Sequence, residues 1–306
     1  MAAVAVTLLA LLRSGDHVVT VDGGYCEIQG LLEEEMSRFG VETTGVPAGS
    51  TGAIAESINS HTRLIVVETI ANPSLRVADL PEIASTARQY GVLLVVDNTL
   101  ATPMLCRPLD LGADLVWHSA TKYFGGHHDL VAGVVAGPRN LITPLRRQAQ
   151  RLGMTLGAFD AWLALRGLQT LAPRMSWICA TAATVANFLH GHPAVTDVQY
   201  PLLAHHPDAG IVPRILPCGA GGIVTCTVQA GAAAAAHVIR QLQLIPFAMS
   251  LGGTTSTVCF PPVLDYTDEP GSPYPGQGSA TLRFSFGLEP APDLVADLEQ
   301  ALAHHA

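Results

Sequence analysis

The chain has 306 residues, enough for one large or two ordinary domains and a substantial core. Of these, 49% are hydrophobic and 13% charged, which excludes a disordered chain. The formal net charge of −9, with no run of Lys or Arg, excludes the electrostatics of a nucleic-acid binder.

The apolar stretch 1–12 is too short to span a bilayer and lacks the basic lead of a secretory signal, so it reads as a buried helix that ends at Gly15. Residues 17–21 form a short apolar run closed by Asp22-Gly23-Gly24, and 31–39 read as a helix stopped by Gly40. The β-branched run 63–67 is followed by a helix at 80–90, closed by Gly91, and by the continuous apolar run 92–96. Such a run is what a strand buried on both faces needs. Two more short runs lie at 114–117 and 130–135. Strands alternating with helices predict βα units and a mainly parallel sheet, whose ligands sit at the carboxyl ends of the strands.

A long helical pattern covers 159–189. Strands at 195–200, 223–228 and 281–286 and helices at 232–242 and 293–303 then predict a smaller α+β domain, with a Gly- and Pro-rich loop at 270–278. The expected division is a large domain over 1–166 and a small one, with its connecting helix, over 167–306. Cys26, Cys106, Cys179, Cys218, Cys226 and Cys259 form no CxxC pair and read as free thiols of a reducing cytosol. His127 and His128 have no evident third ligand, so no metal site is expected.

Two places carry chemistry. Asp97 ends the apolar run 92–96, and a carboxylate there needs a partner. An arginine, a helix N-terminus or a protonated heterocyclic nitrogen would each serve. After the strand at 114–117 comes His118-Ser119-Ala120-Thr121-Lys122-Tyr123. Ser119 and Thr121 offer short-range donors to a phosphate. Lys122, the only lysine in the chain, can condense with an aldehyde when its amine is desolvated.

Several motifs run in order along nearly the whole chain: Glu68-Thr69-Ile70-Ala71-Asn72-Pro73, Val96-Asp97-Asn98-Thr99, Ser119-Ala120-Thr121-Lys122-Tyr123-Phe124-Gly125-Gly126-His127, Leu165-Arg166-Gly167-Leu168-Gln169-Thr170-Leu171, Ser250-Leu251-Gly252-Gly253 and Leu282-Arg283-Phe284-Ser285-Phe286-Gly287. The set resembles the Cys/Met-metabolism family of enzymes that use pyridoxal 5'-phosphate (PLP), which includes cystathionine γ-synthase, the cystathionine lyases and methionine γ-lyase. The resemblance implies an α/β, fold-type-I, aspartate-aminotransferase-like architecture. It also implies that Lys122 forms the imine with PLP and shuttles protons, that Asp97 faces the ring nitrogen and Thr99 lies beside the ring, and that Ser119 and Thr121 hold the phosphate. Tyr25 would stack on the ring and take part in proton transfer, Asn72 and Arg283 would bind the substrate carboxylate, and Ser250 would orient it.

The same resemblance implies a C–S lyase that eliminates a thiol from a cysteine- or homocysteine-type amino acid. A γ-replacement synthase, or a non-catalytic domain of a larger assembly, are the alternatives. The implied setting is a cytoplasmic homodimer or homotetramer with its active site at the subunit interface, and no membrane partner. The family carries a long N-terminal segment before a Ser-Gly-Met-Ala-Ala motif whose end matches Met1-Ala2-Ala3. That segment supplies phosphate donors, so weaker phosphate anchoring is expected of this chain by itself. Cys26-Glu27-Ile28 replaces the Gly-Gly-Thr often found after the tyrosine, and Thr255 stands where several relatives carry an acid. The second change is expected to disfavour substrates with a distal ammonium.

Overall fold

The computed structural model describes residues 1–261 and 279–303; the loop expected at 270–278 lies outside the described residues. Six strands make the first sheet: β1 (His17–Asp22), β2 (Glu42–Pro47), β3 (Thr62–Glu68), β4 (Leu93–Asp97), β5 (Leu115–Ser119) and β6 (Gly133–Ala136). Their order is β2-β1-β3-β4-β5-β6. The first five are parallel, and β6 returns antiparallel along β5.

The unbroken apolar character of β3 and β4 follows from burial on both faces. Ile65, Val67, Leu94 and Val96 enter one core, and Leu64, Val66 and Val95 the other. The helix Ala2–Leu11 is part of the second core through Val4 and Leu8, so the apolar start of the chain is interior surface. The helix Leu80–Tyr90 has clear stops: Asp79 accepts a hydrogen bond from Glu82 N–H at its start, and Gly91 takes the left-handed conformation at its end.

A second, antiparallel sheet of four strands has the order β7-β8-β10-β9, from β7 (Val195–Gln199), β8 (Ile223–Val228), β9 (Thr257–Cys259) and β10 (Thr281–Ser285). One core runs continuously from the first sheet through the helix Leu171–Gly191 to this second sheet. The expected boundary at 166/167 falls inside the helix Ala158–Leu168.

Three expectations need correction. The single helix at 159–189 is two, Ala158–Leu168 and Leu171–Gly191. Arg174 fixes the break, donating to Gly167 O, Thr170 Oγ1 and Tyr123 O. The helix at 31–39 begins earlier, at Cys26, and winds through a π turn before stopping at Gly40. The strand expected in 130–135 covers Gly133–Ala136.

Candidate active site

Parallel strands bring their carboxyl ends to one edge, and the polar residues that follow β1, β3, β4 and β5 gather there around a cavity of about 410 Å³. That volume suits a small organic ligand. β1 delivers Tyr25 through the turn Gly23-Gly24; β3 ends in Glu68, with Asn72 four residues on. β4 delivers Asp97 and Thr99, and β5 delivers Ser119, then Lys122. The second sheet closes the far wall with Arg283 on β10, and the loop before β9 adds Ser250.

Lys122 sits in a non-helical conformation that interrupts the turn Ala120–Phe124. Burial lowers its ammonium below the usual lysine range, and the Arg283 charge lowers it further. A larger share of neutral amine is what attack on an aldehyde requires. Gly252, in the left-handed region, lets the loop that carries Ser250 rest on the lysine backbone: a Cβ there would meet Tyr123 N at 2.9 Å.

Asp97 opens on the cavity and is otherwise enclosed. Burial raises its carboxyl, while hydrogen bonds from Thr99 pull the other way, including one of 2.8 Å from Thr99 N–H. The Thr99 hydroxyl oxygen in turn accepts from Ser119 N–H at 2.8 Å, which joins the ends of β4 and β5. Arg283 is buried, donating from Nη1 to Asn72 Oδ1 at 3.1 Å and from Nη2 to Met249 O at 2.7 Å. These bonds aim its planar fork across the cavity from β10 to the loop after β3.

Eight of the nine residues picked out from the sequence thus line one cavity: Tyr25, Asn72, Asp97, Thr99, Ser119, Lys122, Ser250 and Arg283. Thr121 does not. Its hydroxyl donates to Ala132 O and accepts from Ala132 N–H, so it stitches the lysine turn to the start of β6 instead of facing the cavity. Glu68, at the cavity floor, is a carboxylate to which the sequence assigned no role. Its signal was available: like Asp97, it ends a strand directly after four apolar residues, here Leu64-Ile65-Val66-Val67. Thr255 does not line the cavity, whereas the exposed Glu27 does.

Comparison with known proteins gives a consistent result. The model of the Cys/Met metabolism PLP-dependent enzyme family matches residues 1–303. The chain belongs to this family. It is 39% identical to a cystathionine gamma-synthase of Mycobacterium leprae, over 99% of this chain and 78% of the relative. It is 38% identical to an L-methionine gamma-lyase of Pseudomonas putida, over 99% of this chain and 77% of that one. The crystal structure of metB from Corynebacterium glutamicum superposes with a TM-score of 0.93 at 35% identity, covering 100% of this chain and 79% of that one.

The donor set fits the family's cofactor. An amine with lowered basicity suits the PLP aldehyde, a carboxylate at the strand edge suits its ring nitrogen, and the Ser119 hydroxyl suits its phosphate. Among the described residues no group of His, Cys, Asp or Glu is placed to hold a metal ion, and no helix is long and apolar enough to cross a membrane.

Proposed function

We propose that the protein is a carbon–sulfur lyase acting on a sulfur amino acid. The observation that carries the reading is the placement of Lys122, the only lysine, in one cavity with the Arg283–Asn72 pair. Arg283 offers two parallel donors to an α-carboxylate, and Asn72 steadies it. A carboxylate held there presents the Cα proton to Lys122, which removes it and returns a proton later. Bound PLP supplies an electrophilic aldehyde and a ring that stabilises negative charge at Cα. Asp97 would keep the ring nitrogen protonated, Ser119 would hold the phosphate, and Tyr25 would cover the ring. A thiol then leaves from the side chain, and water completes release of a keto acid and ammonia.

The synthase alternative rests on the same residues and on the likeness to cystathionine gamma-synthases. The mouth of the cavity, where Tyr25 and Glu27 are exposed, favours access of water over its exclusion and so favours elimination. Residues 1–166 would carry the cofactor and Asn72, and the remainder would supply Arg283 and Ser250. Assembly as a homodimer or homotetramer is supported by an apolar stripe of Leu156, Phe159, Trp162 and Leu165, exposed by 47, 68, 55 and 65%. A cytoplasmic location accords with six free cysteines.

The test supplies PLP-loaded protein separately with S-alkyl cysteine, methionine and cystathionine, and with an O-acyl-homoserine plus cysteine. Keto acid and thiol from the first group support the lyase. Cystathionine formed faster than keto acid in the last mixture would replace it with the synthase.

A further inference from the structure

Glu68 and Asp97 stand in register at the ends of β3 and β4, so two carboxylates share one side of the cavity floor. Asp97 has a place in the proposed chemistry and Glu68 has none. Its bonds are specific nonetheless. One carboxylate oxygen accepts from Tyr25 N–H and the other from Asn72 N–H, the latter at 2.8 Å. Tyr25 covers the ring, and Asn72 holds Arg283. No strand pairing connects the turn after β1 to the loop after β3 at these two amides, so the Glu68 side chain joins them.

We propose that Glu68 is a positioning residue whose two carboxylate oxygens hold the Tyr25 and Asn72 amides at a fixed separation, and so set the cofactor-covering ring and the carboxylate-binding pair in register. The inference rests on the reading of Asn72 and Arg283 as the substrate-carboxylate site.

Two further observations support it. Gly24 is packed against this carboxylate: a Cβ at 24 would lie 2.7 Å from Glu68 Oε1. The Tyr25 turn therefore approaches as closely as a residue without a side chain permits. Burial, with Asp97 beside it, also pushes the Glu68 carboxyl up to about 8, against the pull of the two amides. The charged groups that face it are Asp97 on β4 and, from the Tyr25 turn, Cys26, whose thiol Glu68 helps to raise. A second carboxylate next to Asp97 is costly unless it has bonds that only a two-oxygen acceptor can make.

The test uses the intact protein and the variants Glu68→Gln and Glu68→Ala. Glu68→Gln keeps the shape and turns one acceptor into a donor, so it breaks one tether; Glu68→Ala breaks both. Residue-resolved hydrogen exchange should show the Tyr25 or Asn72 amide exchanging at least ~10-fold faster in Glu68→Gln, as for loss of one buried hydrogen bond. The neighbouring Thr69 amide, bonded to Asp97 O, should hold its rate. In the loaded enzyme, KM for the amino acid should rise at least ~5-fold, with kcat within ~2-fold.

Unchanged exchange at both amides overturns the proposal. So does uniform acceleration that includes Thr69, which would make Glu68 a support of the sheet as a whole. If Glu68→Ala fails to fold, Glu68→Gln decides. If the wild type turns over no amino acid, the lyase reading fails, and the exchange measurement still decides the role of Glu68.

Discussion

Asp208 lies in the second half of the chain and grips the segment just beyond Asn72. Its Oδ2 accepts from Arg76 Nε and Val77 N–H, and its Oδ1 from Arg76 Nη2, all at 2.8 Å. Asp208 is 8% exposed. Burial alone would raise its carboxyl, but the Arg76 guanidinium and the Val77 amide outweigh it and hold the group below the usual carboxylate range. In Asp208→Asn one oxygen remains for Arg76 Nε and Val77, while the new amide group confronts Arg76 Nη2, donor against donor. Hydrogen bonds to charged groups contribute about 1.5–3 kcal/mol each. Arg76 keeps a third of its side chain in water and regains part of that by hydration. The expected cost of Asp208→Asn is therefore about 2 kcal/mol, and of Asp208→Ala, which also orphans the Val77 amide, about 3–4 kcal/mol.

Urea unfolding at pH 7 followed by tryptophan fluorescence measures both. The folded-state pKa of Asp208 is depressed, so this stability is fully present above 3.8, the ordinary carboxyl value, and is lost as pH falls through the folded pKa. The gap between wild type and Asp208→Asn should be constant from pH 7 to 8, above the range in which the neighbouring His206 titrates. A gap under about 0.5 kcal/mol at pH 7 would refute the argument, because it would mean that solvent compensates the pair as it does at an open surface.

Other substitutions probe the site. In Gly167→Ala the new Cβ would meet the carbonyl oxygens of Phe124 and Gly125 at 2.4 Å, both backbone atoms just after the lysine turn. A loss of about 1–3 kcal/mol in stability is expected, with weaker PLP binding by titration. Arg283→Lys keeps the charge and loses the fork, so KM for the amino acid should rise roughly 10–100-fold with a smaller change in kcat. Removing the charge in Arg283→Gln takes away one of the two influences that lower Lys122. The pH at which imine formation with PLP is half-maximal lies below 10.5 in the wild type and should move upward in Arg283→Gln, as followed by stopped-flow absorbance.

The parts of the fold that are legible in the sequence are those with one physical cause. The apolar runs of β3, β4 and β5 are continuous because both faces are buried, and each announces its site residue by ending in a polar group. β2 escaped notice because Glu42-Thr43-Thr44-Gly45 on an edge strand shows no apolar run, and Arg139–Leu152 because its charged helix contributes Leu145 as its one buried residue. The break near Thr170 was hidden because apolar periodicity continues across it, while Arg174 makes the break through bonds to residues on another element. Lys122 and Asp97 were found from residue type and position, and Arg283 and Asn72 only through the family resemblance. The Arg76–Asp208 pair joins residues 132 apart, a separation over which local pattern carries no signal. The bonds of Thr121 to Ala132 were not legible, because the partner is a backbone group that sequence does not display.

The central claim is that Lys122 holds the cofactor, and its uniqueness makes the claim directly measurable. Purified protein is mixed with PLP, its absorption spectrum recorded, and the adduct reduced with borohydride and located by peptide mapping, beside Lys122→Ala. The account predicts a band near ~420 nm in the wild type alone and a reduced adduct on residue 122. A wild type with no band at saturating PLP, or a Lys122→Ala variant that keeps the band, would contradict it.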